Sequence, residues 1–197
     1  MGPEVRLTGE TRLLGVIGHP ITHSLSPRMH NASFSTMGLD YAYVPLDVYP
    51  DALPAAVRGL AALGFRGFNV TMPHKESILP LLDEVDAVAS LAEAVNTVVI
   101  EDDRLLGYNT DGPGFLEACG EAAVVFEDAR VLVVGAGGAA AAICGALLEA
   151  GARTVNLLNR SAWRAEGLAR RLRRAYPQAE IAVYGADEQN AAVGGAG

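Results

Sequence analysis

Hydrophobic residues recur in short runs whose spacing switches between that of strands and that of helices. In 53–63 the apolar residues fall three and four positions apart, which predicts an amphipathic helix. In 41–48 and 64–71 they alternate with polar residues, which predicts strands. Because strands and helices alternate, we expect an α/β fold with a mostly parallel sheet. Further strands are predicted at 13–17, 95–100, 105–112, 131–134, 154–158 and 176–184, and further helices at 27–37, 77–85, 143–148 and after 161.

A glycine-rich linker divides the chain. Gly112, Pro113 and Gly114 interrupt the periodic pattern, and the composition changes after the linker. We therefore predict two domains, 1–112 and 113–197, with a flexible tail from about residue 187.

The second predicted domain carries a dinucleotide-binding pattern. The run 131–134 lacks alternation, as in a fully buried strand of a parallel sheet. It leads into the glycine turn 135–139, a helix and the strand 154–158, which together are typical of a βαβ unit that binds dinucleotides. Gly135 would permit the tight turn, and Gly137 would let the backbone approach a pyrophosphate. The predicted cofactor-binding residues of this turn are Gly135, Ala136, Gly137, Gly138 and Ala139.

The end of the following strand indicates which dinucleotide is bound. An NAD site usually has a carboxylate there for the ribose 2′-hydroxyl. Here Asn159, Arg160 and Ser161 occupy the position, with Arg164 close behind. Two guanidinium groups could bind a 2′-phosphate, so these four residues predict NADP(H). The alternative is that both arginines belong to the solvated face of a basic helix, as we expect for the arginines within 170–174.

Composition narrows the choice of partners. A net charge of −8 and a pI near 4.9 argue against nucleic acid or an anionic membrane as the main partner. Cys119 and Cys144 have no metal or redox spacing, so we interpret them as core residues. Neither a signal peptide nor a long apolar span is present, so we expect a cytoplasmic protein. His19, His23 and His30 lack carboxylate or cysteine partners in ligand spacing, so we predict no metal site.

A serine directly before a proline predicts the start of the first helix. We expect Ser26 at the N-cap and Pro27 at the first helical position. The free amides of that helix end, with Ser24 and Ser26 beside them, would form a seat for a carboxylate or phosphate. Plain capping by Ser26 alone is an equally supported alternative.

Three polar residues share a placement near strand ends or turns, where α/β proteins bind ligands. They are Lys75, Asn96 and Asp111. An ammonium and a carboxylate brought together there would stabilise each other's charged form and could exchange a proton with a substrate hydroxyl. A structural salt bridge and two separate surface charges are the alternatives.

Together these motifs resemble, in order and over essentially the whole chain, the signatures of shikimate dehydrogenases. The segments that carry the resemblance are 16–20, 23–27, 69–75, 94–97, 107–112, 135–139 and 159–161, the last resembling NADP-preferring members. The resemblance implies a substrate-binding catalytic domain at 1–112 and a Rossmann-like NADP-binding domain at 113–197. It also implies reversible, NADPH-dependent reduction of 3-dehydroshikimate to shikimate in chorismate and aromatic amino acid biosynthesis.

The resemblance further implies roles for individual residues. Ser24 and Ser26 would bind the substrate carboxylate, and Lys75 and Asp111 would act as the acid/base pair. The residues implied to hold the ring hydroxyls and the reacting oxygen are Thr71, Lys75, Asn96 and Asp111.

The family's nucleotide domain continues past the point where this sequence stops. We therefore expect only the first half of a doubly wound sheet, with an exposed apolar edge that a homodimer or another partner could cover. Two alternatives stay open: a non-catalytic chain that binds a shikimate-like ligand or NADP, and an enzyme that acts on quinate.

Overall fold

The structure is a computed structural model that describes residues 7–194; the last residues of the predicted tail, 195–197, lie outside this range. The strands within it are β1 (Arg12–Gly18), β2 (Tyr41–Asp47), β3 (Gly67–Val70), β4 (Glu84–Val85), β5 (Thr97–Glu101), β6 (Arg104–Tyr108), β7 (Arg130–Val134), β8 (Thr154–Leu158) and β9 (Glu180–Tyr184). The α-helices are α1 (Ser26–Met37), α2 (Leu53–Ala62), α3 (Ala87–Ala92), α4 (Asp111–Glu121), α5 (Gly138–Glu149), α6 (Ala162–Ala175) and α7 (Gln189–Gly194).

The described residues form two compact units. The first unit contains the residues up to Val85 together with Val95–Tyr108, and the second contains Asp86–Ala94 together with the residues from Asn109 onward. This division differs from the predicted one after residue 112. The difference arises because α3 belongs to the second unit and α4 begins before the predicted boundary.

The first unit contains a six-stranded sheet in the order β2-β1-β3-β5-β6-β4. Strand β1 pairs in parallel with β2 and β3, and β4 pairs in parallel with β6, whereas β5 runs antiparallel to β3 and β6. Three of these five pairings are parallel, so the mostly parallel sheet is confirmed. The ends of β1, β2 and β3 and the start of β5 lie together at one end of the strands. We call this end of the sheet the site edge.

A tight hairpin accounts for the antiparallel part of this sheet. Only Asp102 and Asp103 separate β5 from β6, and their φ angles are 49° and 62°. Two consecutive left-handed residues are the geometry of a two-residue hairpin turn, in which aspartate is tolerated. The strands it joins must therefore be antiparallel, which the alternation of the sequence does not reveal.

The predicted helix at 77–85 is wrong. This segment contains only a short 3₁₀ turn, Leu79–Leu81, followed by β4. Pro80 has no N–H to donate, and its ring clashes with the preceding turn of an α-helix. An unpredicted helix, α3, begins shortly afterwards because the Asp86 side chain accepts a hydrogen bond from the Ala89 amide at 2.7 Å.

The second unit contains a parallel sheet in the order β7-β8-β9. The central strand β8 is buried along its whole length and packs on the apolar faces of α5 and α6. Strand β7 was predicted to be fully buried, and this is wrong: Val134 is 74% exposed. Within the described residues β7 pairs on one side only, so it forms the apolar edge that the sequence analysis expects.

The tail that was predicted to be flexible from about residue 187 contains the short helix α7. Ala192 in this helix is fully buried, and its carbonyl oxygen accepts a hydrogen bond from Asn156 Nδ2 at 3.0 Å. Asn156 lies in β8 and is itself buried. Ala192 therefore packs against the sheet, which composition alone does not predict.

Helix α1 covers the open edge of β2 through one side chain. Asn31 Nδ2 donates to the Tyr43 carbonyl oxygen, and Asn31 Oδ1 accepts from the Tyr43 amide, both at 2.9 Å. Strand β2 is the outermost strand of its sheet, so these two backbone groups have no neighbouring strand to pair with. The carboxamide of Asn31 takes the place of that strand.

We predict that Asn31→Ala lowers the free energy of unfolding by about 2 kcal/mol, because it leaves two backbone groups of a buried residue without partners. Urea denaturation of both proteins measures this difference. Ser35→Ala, at an exposed position of the same helix, serves as the control and should change the stability little. Equal stability of the Asn31→Ala variant and the parent would contradict the proposed role of this carboxamide.

Candidate functional site

The loop after β3 is fixed to the site edge by backbone hydrogen bonds. The Thr71 amide donates to the Ile17 carbonyl at 2.9 Å, which ties the loop to the end of β1. The Val95 amide donates to the Lys75 carbonyl at 2.8 Å, which ties it to the segment before β5. Lys75 is half-buried and is the only lysine of the sequence. The loop that carries Lys75 is therefore held at both of its ends, which restricts where the Lys75 side chain can lie.

His74 anchors the same loop from within. It is fully buried, and its Nε2 lies 2.7 Å from the Val48 carbonyl oxygen. Because a carbonyl only accepts, Nε2 carries the proton. The other ring nitrogen, Nδ1, has no hydrogen-bond partner in the described structure. The sequence pattern indicates no role for His74, because it does not show that this histidine is fully buried next to the half-buried Lys75.

Asn96 lies beside the end of β3. Its carbonyl oxygen accepts from the Val70 amide at 2.8 Å, and its amide donates to the Tyr108 carbonyl at 3.0 Å. The antiparallel pairing of β3 with β5 thus brings Thr71, Lys75 and Asn96 to the same edge. The sequence analysis predicts this shared placement of Lys75 and Asn96 at strand ends, but it does not predict which strands are neighbours.

The serines lie in the segment that follows β1, which the His19 amide joins to the Met72 carbonyl at 3.0 Å. Helix α1 begins at Ser26 with Pro27 in its first turn, as expected, but Leu25 occupies the N-cap and no side chain caps the helix. Capping by the Ser26 hydroxyl is therefore wrong. The Ser24 Oγ accepts from the Ser26 amide at 3.3 Å, so it is Ser24 that lies across the helix start. A helix end without a side-chain cap keeps amides for a bound anion.

Asp111 belongs to the second unit, where it is the first residue of α4. Its amide donates to Asn109 Oδ1 at 3.0 Å, and the buried Asn109 donates through Nδ2 to the Ala94 carbonyl at 2.8 Å. Asp111 is half-buried and its backbone is well fixed. Since Lys75 belongs to the first unit, the pairing of the two side chains stays a prediction.

The glycine turn joins β7 to α5. Gly135 has φ +121°, a conformation that side-chain-bearing residues rarely adopt, which accounts for glycine at the tight turn. Gly137 is the N-cap of α5 and has open space where a side chain would be, and no side chain caps the helix. The first amides of this 12-residue helix are therefore accessible to a pyrophosphate. A side chain at Gly138 would collide with Ala94, so this third glycine serves packing.

The residues predicted to select NADP(H) lie at the end of β8 and the start of α6. Asn159 Nδ2 donates to the Ser161 carbonyl at 2.9 Å, which fixes the turn. Arg160 and Arg164 are both exposed, and the Arg164 guanidinium lies over the ring of Trp163, 5.3 Å from its centre. Trp163 is 73% exposed and is the only tryptophan of the sequence. The turn therefore presents two cations and one aromatic face to solvent.

Histidines, cysteines and carboxylates do not cluster into a metal site anywhere in residues 7–194. His19 instead pairs with Asp47, Nδ1 to Oδ1 at 2.9 Å, and packs on the Tyr49 ring. Cys144 is buried as expected, whereas Cys119 is only half-buried. Among residues 7–194, each helix is too short or too polar to span a membrane.

Comparison with known proteins identifies the family. Residues 16–98 match the family described as shikimate dehydrogenase substrate binding domain, and residues 119–187 match the family described as shikimate / quinate 5-dehydrogenase. Shikimate 5-dehydrogenase from Listeria monocytogenes, solved with shikimate and NAD, superimposes with a TM-score of 0.90 at 36% identity, covering 97% of this chain and 68% of that one. This chain belongs to the shikimate dehydrogenase family.

Two further relatives bear on cofactor and substrate. A shikimate dehydrogenase (NADP(+)) from Rubrobacter xylanophilus is 60% identical over 168 residues, which cover 85% of this chain. A quinate dehydrogenase from Corynebacterium glutamicum, solved with NAD, has a TM-score of 0.85 at 32% identity and covers 94% of this chain and 68% of that one. The chain spans about three fifths of the length of the Rubrobacter relative, 59%.

The two matched segments divide the site residues of this shikimate dehydrogenase family member. The substrate-binding segment contains both serines, Thr71, Lys75 and Asn96, and the second segment contains the glycine turn and the arginines. Asp111 lies between the two matched segments. Its place in the site therefore rests on the motif around it and on its position at the start of α4.

Close packing at Gly18 generates a testable prediction. A methyl group there would lie 2.5 Å from Thr71 Cγ2 and 3.0 Å from the Met72 carbonyl oxygen, in a loop that backbone hydrogen bonds tie to β1 and the segment after it. We expect Gly18→Ala to destabilise the protein by about 2 kcal/mol, since an overpacked site must shift. Thermal and urea unfolding measure this. Gly59→Ala in α2, where nothing lies within 4 Å, is the matched control and should stabilise slightly; similar stability of both variants would disprove the close contact.

Proposed function

We propose that this protein catalyses the reversible, NADPH-dependent reduction of 3-dehydroshikimate to shikimate, in aromatic amino acid biosynthesis. The observation that carries the proposal is the convergence of Thr71, Lys75 and Asn96 on one sheet edge, within the segment that matches the substrate-binding domain. An ammonium, a hydroxyl and a carboxamide at the ends of strands form a set suited to a polyhydroxylated ring.

The segment after β1 can form a binding site for the substrate carboxylate. We assign Ser24 and Ser26 to it, because α1 begins there without a side-chain cap. The Ser26 amide already donates to Ser24 Oγ, and Pro27 has no N–H. The donors for a carboxylate are therefore the two hydroxyls and the Arg28 amide, and the helix dipole favours the negative charge. Placing the carboxylate here would orient the ring towards the loop that carries Lys75.

Reduction adds a hydride to the carbonyl carbon and a proton to its oxygen. The NADPH cofactor, when bound, supplies the hydride. We assign the proton transfer to Lys75 and Asp111: the ammonium donates to the oxygen as negative charge develops, and the carboxylate stabilises the ammonium. In the reverse direction the amine accepts the hydroxyl proton of shikimate as the hydride leaves.

The second unit supports NADP(H) as the cofactor. The open helix start at Gly137 suits the pyrophosphate, and Arg160 and Arg164 suit the 2′-phosphate. The name of the Rubrobacter relative includes the same cofactor. A cytoplasmic location and a homodimer stay predictions of the sequence.

Quinate is a second candidate substrate, because a structural neighbour is a quinate dehydrogenase. Quinate has a carboxylate on a hydroxylated ring, so the serines would serve it equally. Side-by-side kinetics with shikimate and quinate at saturating NADP⁺ decide between them: the better substrate has the higher kcat/KM. The other alternative, binding without catalysis, predicts affinity for shikimate and no turnover.

We predict that Lys75→Ala lowers turnover about 100-fold or more, since it removes the proton donor. NADP⁺ reduction with shikimate, followed by NADPH absorbance, measures this. Arg58→Ala, which removes an exposed positive charge on α2, is the control and should retain the parent rate. Unchanged turnover in Lys75→Ala would disprove the assignment of Lys75.

A folded parent chain without turnover would favour the binding-only alternative, which a labelling experiment can test. Reductive methylation with ¹³C-formaldehyde labels the N-terminal amine and Lys75, the only lysine. Addition of shikimate should shift the lysine signal and leave the N-terminal signal in place. A lysine signal that does not respond at millimolar shikimate would argue against a substrate site at this edge.

We predict that Arg160→Ala weakens NADP⁺ binding about 10-fold to 100-fold while NAD⁺ binding changes little, because a charged hydrogen bond to the 2′-phosphate is lost. Quenching of Trp163 fluorescence reports both affinities, since this single tryptophan is exposed next to Arg164. Arg170→Ala, an exposed arginine of α6, is the control for net charge. Equal losses in the two variants would place Arg160 on the solvated face instead.

A further inference from the structure

Four side chains form a continuous hydrogen-bonded chain at the site edge. Tyr43 Oη lies 2.6 Å from Asn69 Oδ1, and Asn69 Nδ2 lies 3.0 Å from Thr97 Oγ1. Thr97 Oγ1 in turn lies 3.0 Å from Asn96 Oδ1. The chain thus runs from β2 through β3 to β5 and ends on a residue that we assign to the substrate.

One backbone group fixes the orientation of the Asn69 carboxamide in this chain. Asn69 Nδ2 also lies 3.2 Å from the Asn96 carbonyl oxygen, which can only accept. The amide nitrogen of Asn69 must therefore face Asn96 and Thr97, and its oxygen must face Tyr43. Both hydrogens of that nitrogen are then used, one on the carbonyl and one on the Thr97 hydroxyl.

The hydrogen of the Thr97 hydroxyl is therefore available to donate a second hydrogen bond. The hydroxyl oxygen accepts from Asn69 Nδ2, and Asn96 Oδ1, 3.0 Å away, lies where it can receive the hydroxyl hydrogen. This donation occupies the oxygen end of the Asn96 carboxamide as an acceptor. The nitrogen end, Nδ2, is then the donor end of the carboxamide, and its two hydrogens suit acceptors such as a hydroxyl or carbonyl oxygen of a ligand.

We propose that Tyr43 and Thr97 are positioning residues that orient the Asn96 carboxamide so that its nitrogen, rather than its oxygen, is offered to the substrate. This inference rests on the proposed function for its substrate but on the hydrogen-bond chain alone for the orientation. It adds to the site two residues that contact Asn96 directly or through Asn69 and that need not touch the ligand.

The far end of the chain is held rigidly. Tyr43 is 4% exposed, its backbone is bound at both groups by Asn31, and its ring stacks on His30 with 4.3 Å between ring centres. Burial raises the pKa of Tyr43 to about 12, so its hydroxyl keeps the proton that it donates to Asn69. Below that pKa the hydrogen bond from Tyr43 to Asn69 therefore keeps its direction.

The first test compares Thr97→Val, which removes the hydroxyl but keeps the shape, with Thr97→Ser, which keeps the hydroxyl. We expect Thr97→Val to weaken shikimate binding by calorimetry about 10-fold, as for one lost hydrogen bond, and Thr97→Ser to restore it. Binding of NADP⁺ should be unchanged in both, which a general loss of structure would not allow. Equal shikimate affinity in Thr97→Val and the parent overturns the proposal.

Tyr43→Phe tests the far end, and Tyr41→Phe is its matched control on the same strand, since the Tyr41 hydroxyl contacts only Arg12 in the described structure. Only Tyr43→Phe should weaken shikimate binding. In an Asn96→Ala background, neither Tyr43→Phe nor Thr97→Val should weaken it further, because both act through Asn96. Additive losses in that background would overturn the proposal.

A second readout needs no ligand. The side-chain amide signals of Asn96 in ¹H–¹⁵N spectra, identified by their loss in Asn96→Ala, should move in Thr97→Val and stay in Thr97→Ser. This pattern in a parent chain that does not bind shikimate would support the orientation and count against the proposed substrate. Unmoved amide signals in Thr97→Val would overturn the orientation whatever the chain binds.

Discussion

The pairing of β3 with β5 is the constraint on which the site depends. It sets the start of β5 beside the end of β3, so that Asn96 and the loop carrying Lys75 meet at one edge. The pairing in turn depends on Gly67, because a side chain there would lie 2.5 Å from the Val98 carbonyl oxygen. A single position without a Cβ thus allows two strands to approach closely enough to place Asn96 beside the loop that carries Lys75.

Elements with a strong local signal were predictable from the sequence. Helix α1, with Pro27 in its first turn and the left-handed Gly38 at its end, follows the expected pattern. The buried strand β8 and the glycine turn at Gly135 do so as well. What failed depended on single residues that override periodicity: Pro80 prevents a helix, and Asp86 starts one that the apolar spacing does not indicate.

Only the candidate site residues that lie at strand ends could be predicted from the sequence. Lys75 and Asn96 follow or precede strands, so their placement could be inferred before the sheet order was known. Tyr43 and Thr97 could not, because their role depends on the register between strands that are far apart in the sequence. In the sequence, Tyr43 is an ordinary residue of an alternating strand. Only the sheet order, in which β1 lies between β2 and β3, shows which residues are near it. The role of His74 likewise depends on its hydrogen bond to Val48, which is distant in the sequence.

The backbone carbonyl that directs the hydrogen-bond chain has an evolutionary consequence. Side-chain hydroxyls and carboxamides can reverse their roles, but a main-chain carbonyl cannot be mutated into a donor. Sequence drift at this end of the sheet can therefore shorten or break the chain, yet it cannot turn the Asn69 carboxamide round while Asn69 and the strand register persist. The orientation of this side chain is in this sense inherited with the fold.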